Sequence, residues 1–169
     1  MIGRVDQVWI EQWRGDVRAG IATMLATFES RFGFAPGEHE VSGPATAAEL
    51  AGLVELHGDA VPAALLAFYR VVAEVRLPDV SNGYWIHRPP LPGEDPGHPR
   101  LLSDGRTVVV FGSDGGGAMF ALSGEVVLRL AGGVFPDADY EAEHATEVAV
   151  SLQDFLQSLR RELTEFAAP

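Results

Sequence analysis

Residues Val108 to Gly124 read VVVFGSDGGGAMFALSG, which places Gly112, Gly115, Gly116 and Gly117 within six residues between two apolar runs. Glycine at that density suits a phosphate cradle, because backbone amides can close on an anion where no side chain intervenes. Such a cradle leads into a helix whose first amides and dipole hold the charge, and its ATP-binding form adds a Lys-Ser or Lys-Thr pair. Neither follows here. Ala118 to Leu122 reads as a strand, and the nearest downstream basic residue is Arg129. The glycine loop of a kinase does lie between strands, but the HRD and DFG signatures are missing. The cluster is therefore expected to be a hairpin turn in which these four glycines supply positive φ.

The other reactive residue types are scattered. Histidines stand at positions 39, 57, 87, 98 and 144, and His39-Glu40 lacks the second histidine that an HExxH zinc helix needs four residues on. A site built in space from His87, His98 and a carboxylate such as Asp95 competes with the commoner reading of solvent-facing or hydrogen-bonded imidazoles, so no metal is expected. No serine sits in a G-x-S-x-G elbow, and cysteine is absent, which removes disulfides, thiolate chemistry and cysteine-bound zinc. Asp114 and Glu125 could act as a carboxylate pair. Aspartate in a glycine turn, however, ordinarily bonds the nearby backbone amides. Tyr84 and Trp85 are better candidates for contact than for catalysis, since alternation along a strand sends one inward and the other toward a partner.

The 169 residues suit one domain with an appended element. A net charge of −12 repels the phosphate backbone and argues against nucleic acid as a partner, while it suits a basic protein. The N-terminus has no basic segment leading into an apolar stretch and a small-residue cleavage site, and the longest apolar run, Val61 to Tyr69, is too short to span a bilayer. A cytoplasmic protein with no membrane association is expected.

The elements that must position these residues are read from period and caps. Val5, Trp9, Trp13, Val17, Ile21, Leu25, Phe28 and Phe32 make one helical stripe, which Gly15 and Gly20 weaken enough for a break near either. GFAPGEHEVSGPAT reads as a loop. Thr46 and Glu49 form a capping box for a second helix that ends at Gly58, and Pro62 opens a third. From Leu77 the pattern turns to strand, with Asn82-Gly83 as a turn before YWIH. Arg88 to Arg100, rich in proline, reads as an exposed excursion. Thr107–Phe111, Ala118–Leu122 and Glu125–Leu130 should form an antiparallel meander. The segment with Asp137, Asp139, Glu141, Glu143 and Glu147 reads as a solvated, irregular acidic loop, and Ser151 with Asp154 starts a closing helix. Helices before and after a block of strands indicate an α+β class.

In order, ELAGLVELHGDAVPAALLAFY, NGYW, VVVFGSDGGGAMFALS and VAVSLQDFLQSL resemble the SUKH superfamily, which includes fungal cell-wall assembly regulators and bacterial immunity proteins. The likeness covers about Thr46 to Leu163, so residues 46–169 are taken as a SUKH-like domain and 1–45 as an added amphipathic helix and loop. The chain departs from the family pattern in that helix and in the excursion from Arg88 to Arg100. The resemblance implies a twisted, mostly antiparallel sheet with flanking helices, and a non-catalytic protein, without cofactor, that neutralises a cognate toxin such as a basic nuclease. Partner contacts would fall to Tyr84 or Trp85, Asp114, Asp137, Asp139, Glu141 and Glu143. The competing readings are a regulatory or scaffolding module of the same fold, and a small enzyme or ligand-binding protein using the cleft near the glycine turn.

Overall fold

The structure, a computed structural model, describes residues 5–131 and 139–168. Helix α1 (Gln7–Phe32) starts where the Asp6 carboxylate accepts from the Trp9 amide at 2.7 Å and ends at Gly33, φ 78°. It runs unbroken through Gly15 and Gly20, and at Gly20 it packs directly against the Leu163 side chain. Its buried stripe is Ile10, Trp13, Val17, Ile21, Met24 and Phe28, whereas Leu25 and Phe32 of the expected stripe are 40% and 39% exposed. A strict spacing of four overshoots the 3.6-residue turn, so the face drifts toward solvent unless steps of three and four alternate.

After strand β1 (Glu40–Val41) comes α2 (Ala47–His57), whose capping box is complete: the Glu49 amide donates to the Thr46 hydroxyl at 3.1 Å and the Thr46 amide to the Glu49 carboxylate at 3.0 Å. Gly58, φ 56°, ends it, and α3 (Ala63–Tyr69) follows Pro62. Then come β2 (Val75–Leu77), β3 (Tyr84–Ile86), β4 (Leu101–Leu102), β5 (Val109–Ser113), β6 (Met119–Ser123), β7 (Val126–Leu130), β8 (Asp139–Tyr140) and β9 (Ala145–Ala149). Helix α4 (Leu152–Ala167) closes the chain, with the Ser151 hydroxyl accepting from the Asp154 amide at 3.1 Å.

Seven strands form one antiparallel sheet in the order β1-β2-β3-β5-β6-β7-β9, while β4 and β8 pair in parallel beside it. The fold is α+β. Side chains alternate across the sheet, and this gives the protein two cores. Val75, Leu77, Ile86, Val109, Phe111, Phe120, Leu122 and Val127 meet α1, α3 and α4 on one face. Val110, Met119, Ala121, Leu128 and Leu130 meet Leu102 and Tyr140 on the other. Helix α1 belongs to the first core: its Trp13 indole donates to the Leu156 carbonyl of α4 at 2.8 Å in the interior.

Three expectations need correction. The stretch before Thr46 is not all loop, because β1 pairs with β2 there. Ala145–Ala149 of the acidic segment is the outermost strand of the sheet, and Tyr140 anchors the second core, so the described part of that segment is ordered by partners distant in sequence. The excursion from Arg88 to Arg100 is not exposed throughout: Leu91 to Gly97 face solvent but Pro89 and Pro99 are buried, which makes it a strap pinned near both ends.

Candidate functional site

Of the four glycines expected to take positive φ, only Gly117 does, at 88°. Gly112 and Gly115 are required for a different reason. A Cβ on Gly112 would lie 2.4 Å from the Trp85 carbonyl oxygen, and one on Gly115 would lie 2.4 Å from that of Asn82. The backbone of β3 and the turn before it press on these positions too closely for any side chain. Gly112 lies within β5 at a bulge rather than in the turn, and at Gly116 a Cβ would meet only the Asp114 carboxylate at 3.4 Å, an ordinary contact.

Asp114 is spent inside this turn. One carboxylate oxygen accepts from the amides of Gly116 (2.8 Å) and Ala118 (3.0 Å), the other from the Arg129 guanidinium (3.1 Å), and the side chain is 5% exposed. That corrects its expected role as a contact residue. Glu125, its conceivable catalytic partner, lines a separate hollow. Tyr84 shares a depression of about 360 Å³ with Asp114 and Arg161; its ring stacks on Phe120 and its hydroxyl donates to Glu162 at 2.5 Å. Burial, then the Glu162 carboxylate, pushes that phenol well above its usual value. Trp85 faces the other side of the sheet, where its ring lies against Gly83 and Gly115. Both aromatics are half-buried. Glu141 and Glu143 are exposed and do not line the depression. Asp137 lies outside the described residues, and Asp139 is placed in β8.

A cavity of about 890 Å³ lies between α2 and the strap. It exists because Gly52 lets the strap come down on α2: a Cβ there would stand 2.0 Å from the Pro90 carbonyl oxygen. Leu53, Leu56, Leu91 and the strap prolines make its apolar wall, with Val110 contributed from the sheet. Three imidazoles that are far apart in sequence converge here, His57 from α2, and His87 and His98 from the two ends of the strap. His87 shares a hydrogen bond with the Ser113 hydroxyl at 2.9 Å, and the His98 ring stacks on it at 5.6 Å. Burial, with a smaller effect from His98, pulls His87 down to about 4. Burial first, then Arg100, lowers His57, and burial lowers His98. All three are neutral at pH 7. Among the described residues no three His, Asp or Glu side chains are placed to hold a metal ion.

Each of the cavity's carboxylates gives at least one oxygen to the protein. Glu49 closes the capping box, Glu94 accepts from the Leu91 amide (2.9 Å), and Asp95 accepts from the Gly97 amide (2.8 Å) and from Arg100 (3.3 Å). The cavity's donors are less engaged. His57 and the nitrogens of His98 make no hydrogen bond among the described residues, and Arg88 reaches Glu49 and Glu74 only at 3.8 and 3.7 Å.

Outside the cavity the charge is arranged the other way. Arg14, Arg18 and Arg31 donate to backbone carbonyls, while Arg76, Arg106 and Arg160 pair with carboxylates. The exposed carboxylates of Glu29, Glu55, Asp59, Glu125, Glu147 and Glu165 have no side-chain partner among the described residues. Asp59 and Glu125 stand beside a hollow of about 720 Å³ lined by Ala63, Ala64, Ala67 and Leu122. Among the described residues no helix is long and apolar enough to cross a membrane.

Comparison with protein-family models, with curated proteins and with solved structures finds no match to this chain.

Proposed function

We propose that this chain is a SUKH-like, non-catalytic immunity protein that binds and neutralises a cognate toxin in the cytoplasm of the producing cell. The observation that carries the reading is the disposition of charge. Arginines are largely tied into the fold while the exposed carboxylates of Glu29, Glu55, Asp59, Glu125, Glu147 and Glu165 have no side-chain partner among the described residues, so the surface offered to a partner is acidic beyond what solubility requires. The hollow beside Asp59 and Glu125 suits a basic partner: its alanine floor takes the aliphatic stem of an arginine or lysine, and the two carboxylates take the head. The motifs that resemble the superfamily, and the α+β fold that contains them, support the same reading. Trp85, Glu141 and Glu143 are exposed enough to add contacts.

The test is co-expression with the toxin-like product of a neighbouring gene. Protection of the cells is expected, along with a complex whose association rate falls as salt is raised. An Asp59→Lys, Glu125→Lys variant should associate about tenfold more slowly. No protection and no binding to any neighbouring product would refute the reading; binding to a cellular protein without protection would favour the regulatory or scaffolding module.

A further inference from the structure

We propose that the cavity between α2 and the strap is a binding site for a small organic anion, a carboxylate or phosphate carried on an apolar body. Its volume, about 890 Å³, falls in the range of small-molecule sites. The hydrogen-bonding capacity facing it leans toward donors. Glu49, Glu94 and Asp95 each give at least one oxygen to a backbone amide, and Asp95 its second to Arg100, whereas His57 and His98 make no hydrogen bond among the described residues and Arg88 meets carboxylates only at ion-pair distances of 3.8 and 3.7 Å. A cavity whose side chains without a hydrogen bond are two imidazoles and a guanidinium is complementary to a ligand of acceptors. This polarity opposes that of the surrounding surface, whose exposed carboxylates are the unspent groups, so the cavity is not a continuation of the acidic face.

The walls select the body of the ligand. Leu53, Leu56 and Leu91 with the strap prolines offer an apolar, shape-fixed enclosure. The His98 ring is held in place by stacking on His87, which is itself fixed by Ser113, so one donor is oriented before the ligand arrives. An anion should therefore bind better with an aromatic or aliphatic group attached than alone.

Binding is linked to protons. His57 is faced by Arg100, Asp95 and His98, and His98 by Asp95 and His87, with Arg88, Glu49 and Glu94 also lining the cavity. Burial keeps both imidazoles neutral in the free protein, and an anion beside them favours the protonated forms. The complex takes up protons, so affinity rises as pH falls through the imidazole range.

Phenyl phosphate, benzoate and inorganic phosphate serve as probes, followed through the histidine ring signals in NMR, which are assigned with His57→Gln and His98→Asn variants. Phenyl phosphate should give saturable shifts at His57 and His98 but not at His39 or His144, and affinity should rise several-fold between about pH 8 and pH 6. Arg88→Gln should weaken it by about tenfold, the loss of one charge-assisted hydrogen bond, and Arg100→Gln, whose guanidinium Asp95 already holds, by about threefold through loss of its charge alone. Both side chains are about half exposed, and circular dichroism confirms that the variants are folded. No saturable shift at His57 and His98 with phenyl phosphate and benzoate, binding unchanged in both arginine variants, or inorganic phosphate binding as tightly as phenyl phosphate would each overturn the proposal.

Discussion

Gly52 and Gly15 both sit inside helices, and the same substitution at the two positions should move stability in opposite directions. In a helix interior alanine is favoured over glycine by about 1 kcal/mol, because glycine loses more backbone freedom on folding. Gly15 of α1 has nothing within 4 Å of where a Cβ would be, so Gly15→Ala should realise most of that gain. At Gly52 the new methyl would lie 2.0 Å from the Pro90 carbonyl oxygen and 2.5 Å from the Leu91 carbonyl carbon. These are backbone atoms of a strap pinned by two buried prolines, and contact distance can be restored only by lifting the strap by more than an ångström. Overpacking of this kind costs about 1–3 kcal/mol, and an approach of 2.0 Å to backbone belongs to the upper part of that range, about 2–3 kcal/mol, so that after the propensity gain of about 1 kcal/mol Gly52→Ala is destabilised by about 1–2 kcal/mol. Urea unfolding of both variants measures the two differences directly, and the melting temperature should fall for Gly52→Ala by roughly 3–6 °C in a chain of this size. Equal stabilisation of both variants would show that the strap does not rest on α2, and the cavity it roofs would lose its structural basis.

Asp114→Ala strands the amides of Gly116 and Ala118 as well as Arg129, so it should cost about 2–4 kcal/mol, while Arg129→Gln, at a side chain 41% exposed, should cost less than about 1; chemical denaturation separates them. Gly112→Ala, with 2.4 Å to the Trp85 carbonyl, should destabilise by about 2 kcal/mol or more although its φ is not positive, and a thermal melt at or above that of the parent would contradict the close-approach account. His87 has a folded-state value near 4, below that of the unfolded chain, so the folded state binds fewer protons. Its contribution is intact above about pH 6.5 and is lost as pH falls toward 4. The full shift is worth about 3 kcal/mol, reduced to about 2 by solvent at the cavity mouth, and comparison with His87→Asn from pH 7 to pH 4.5 isolates it; identical pH profiles would exclude the effect.

What could be read in advance was whatever is decided by near neighbours in the chain. Thr46 with Glu49, Ser151 with Asp154, and Gly58 after the second helix are local signals, and each marks an element end as expected. The β5-β6-β7 meander is equally local. By contrast β1, β4 and β8 are two residues long and exist only because a distant strand pairs with them, and no periodicity can be seen in two residues. The glycines show the same division. Gly117 has the positive φ a turn demands, while Gly112 and Gly115 answer to carbonyls some thirty residues upstream. Asp114 was legible as a turn-binding aspartate but not as the partner of Arg129. His87, His98 and Asp95 could be suspected of meeting across the proline-rich segment; His57 could not, since only the packing of α2 on the strap at Gly52 brings it there.

The two polarities of this molecule meet at the end of α2. His57 lines the donor-rich cavity, Asp59 borders the alanine hollow, and Gly58 between them turns the chain at a φ of 56°. A single residue thus separates an imidazole able to gain a positive charge from a carboxylate. The sites should respond differently to ionic strength. Asp59 and Glu125 are exposed, and their attraction for a basic partner is screened within a Debye length of about 8 Å at physiological salt. His57 and His98 are half-buried beside an apolar wall, where screening is weaker and desolvation sets the strength of each contact. Association with a basic protein should therefore weaken steeply with salt while anion binding in the cavity changes little, and a parallel loss of both would mean that a single diffuse electrostatic field, rather than two built sites, governs what this protein binds.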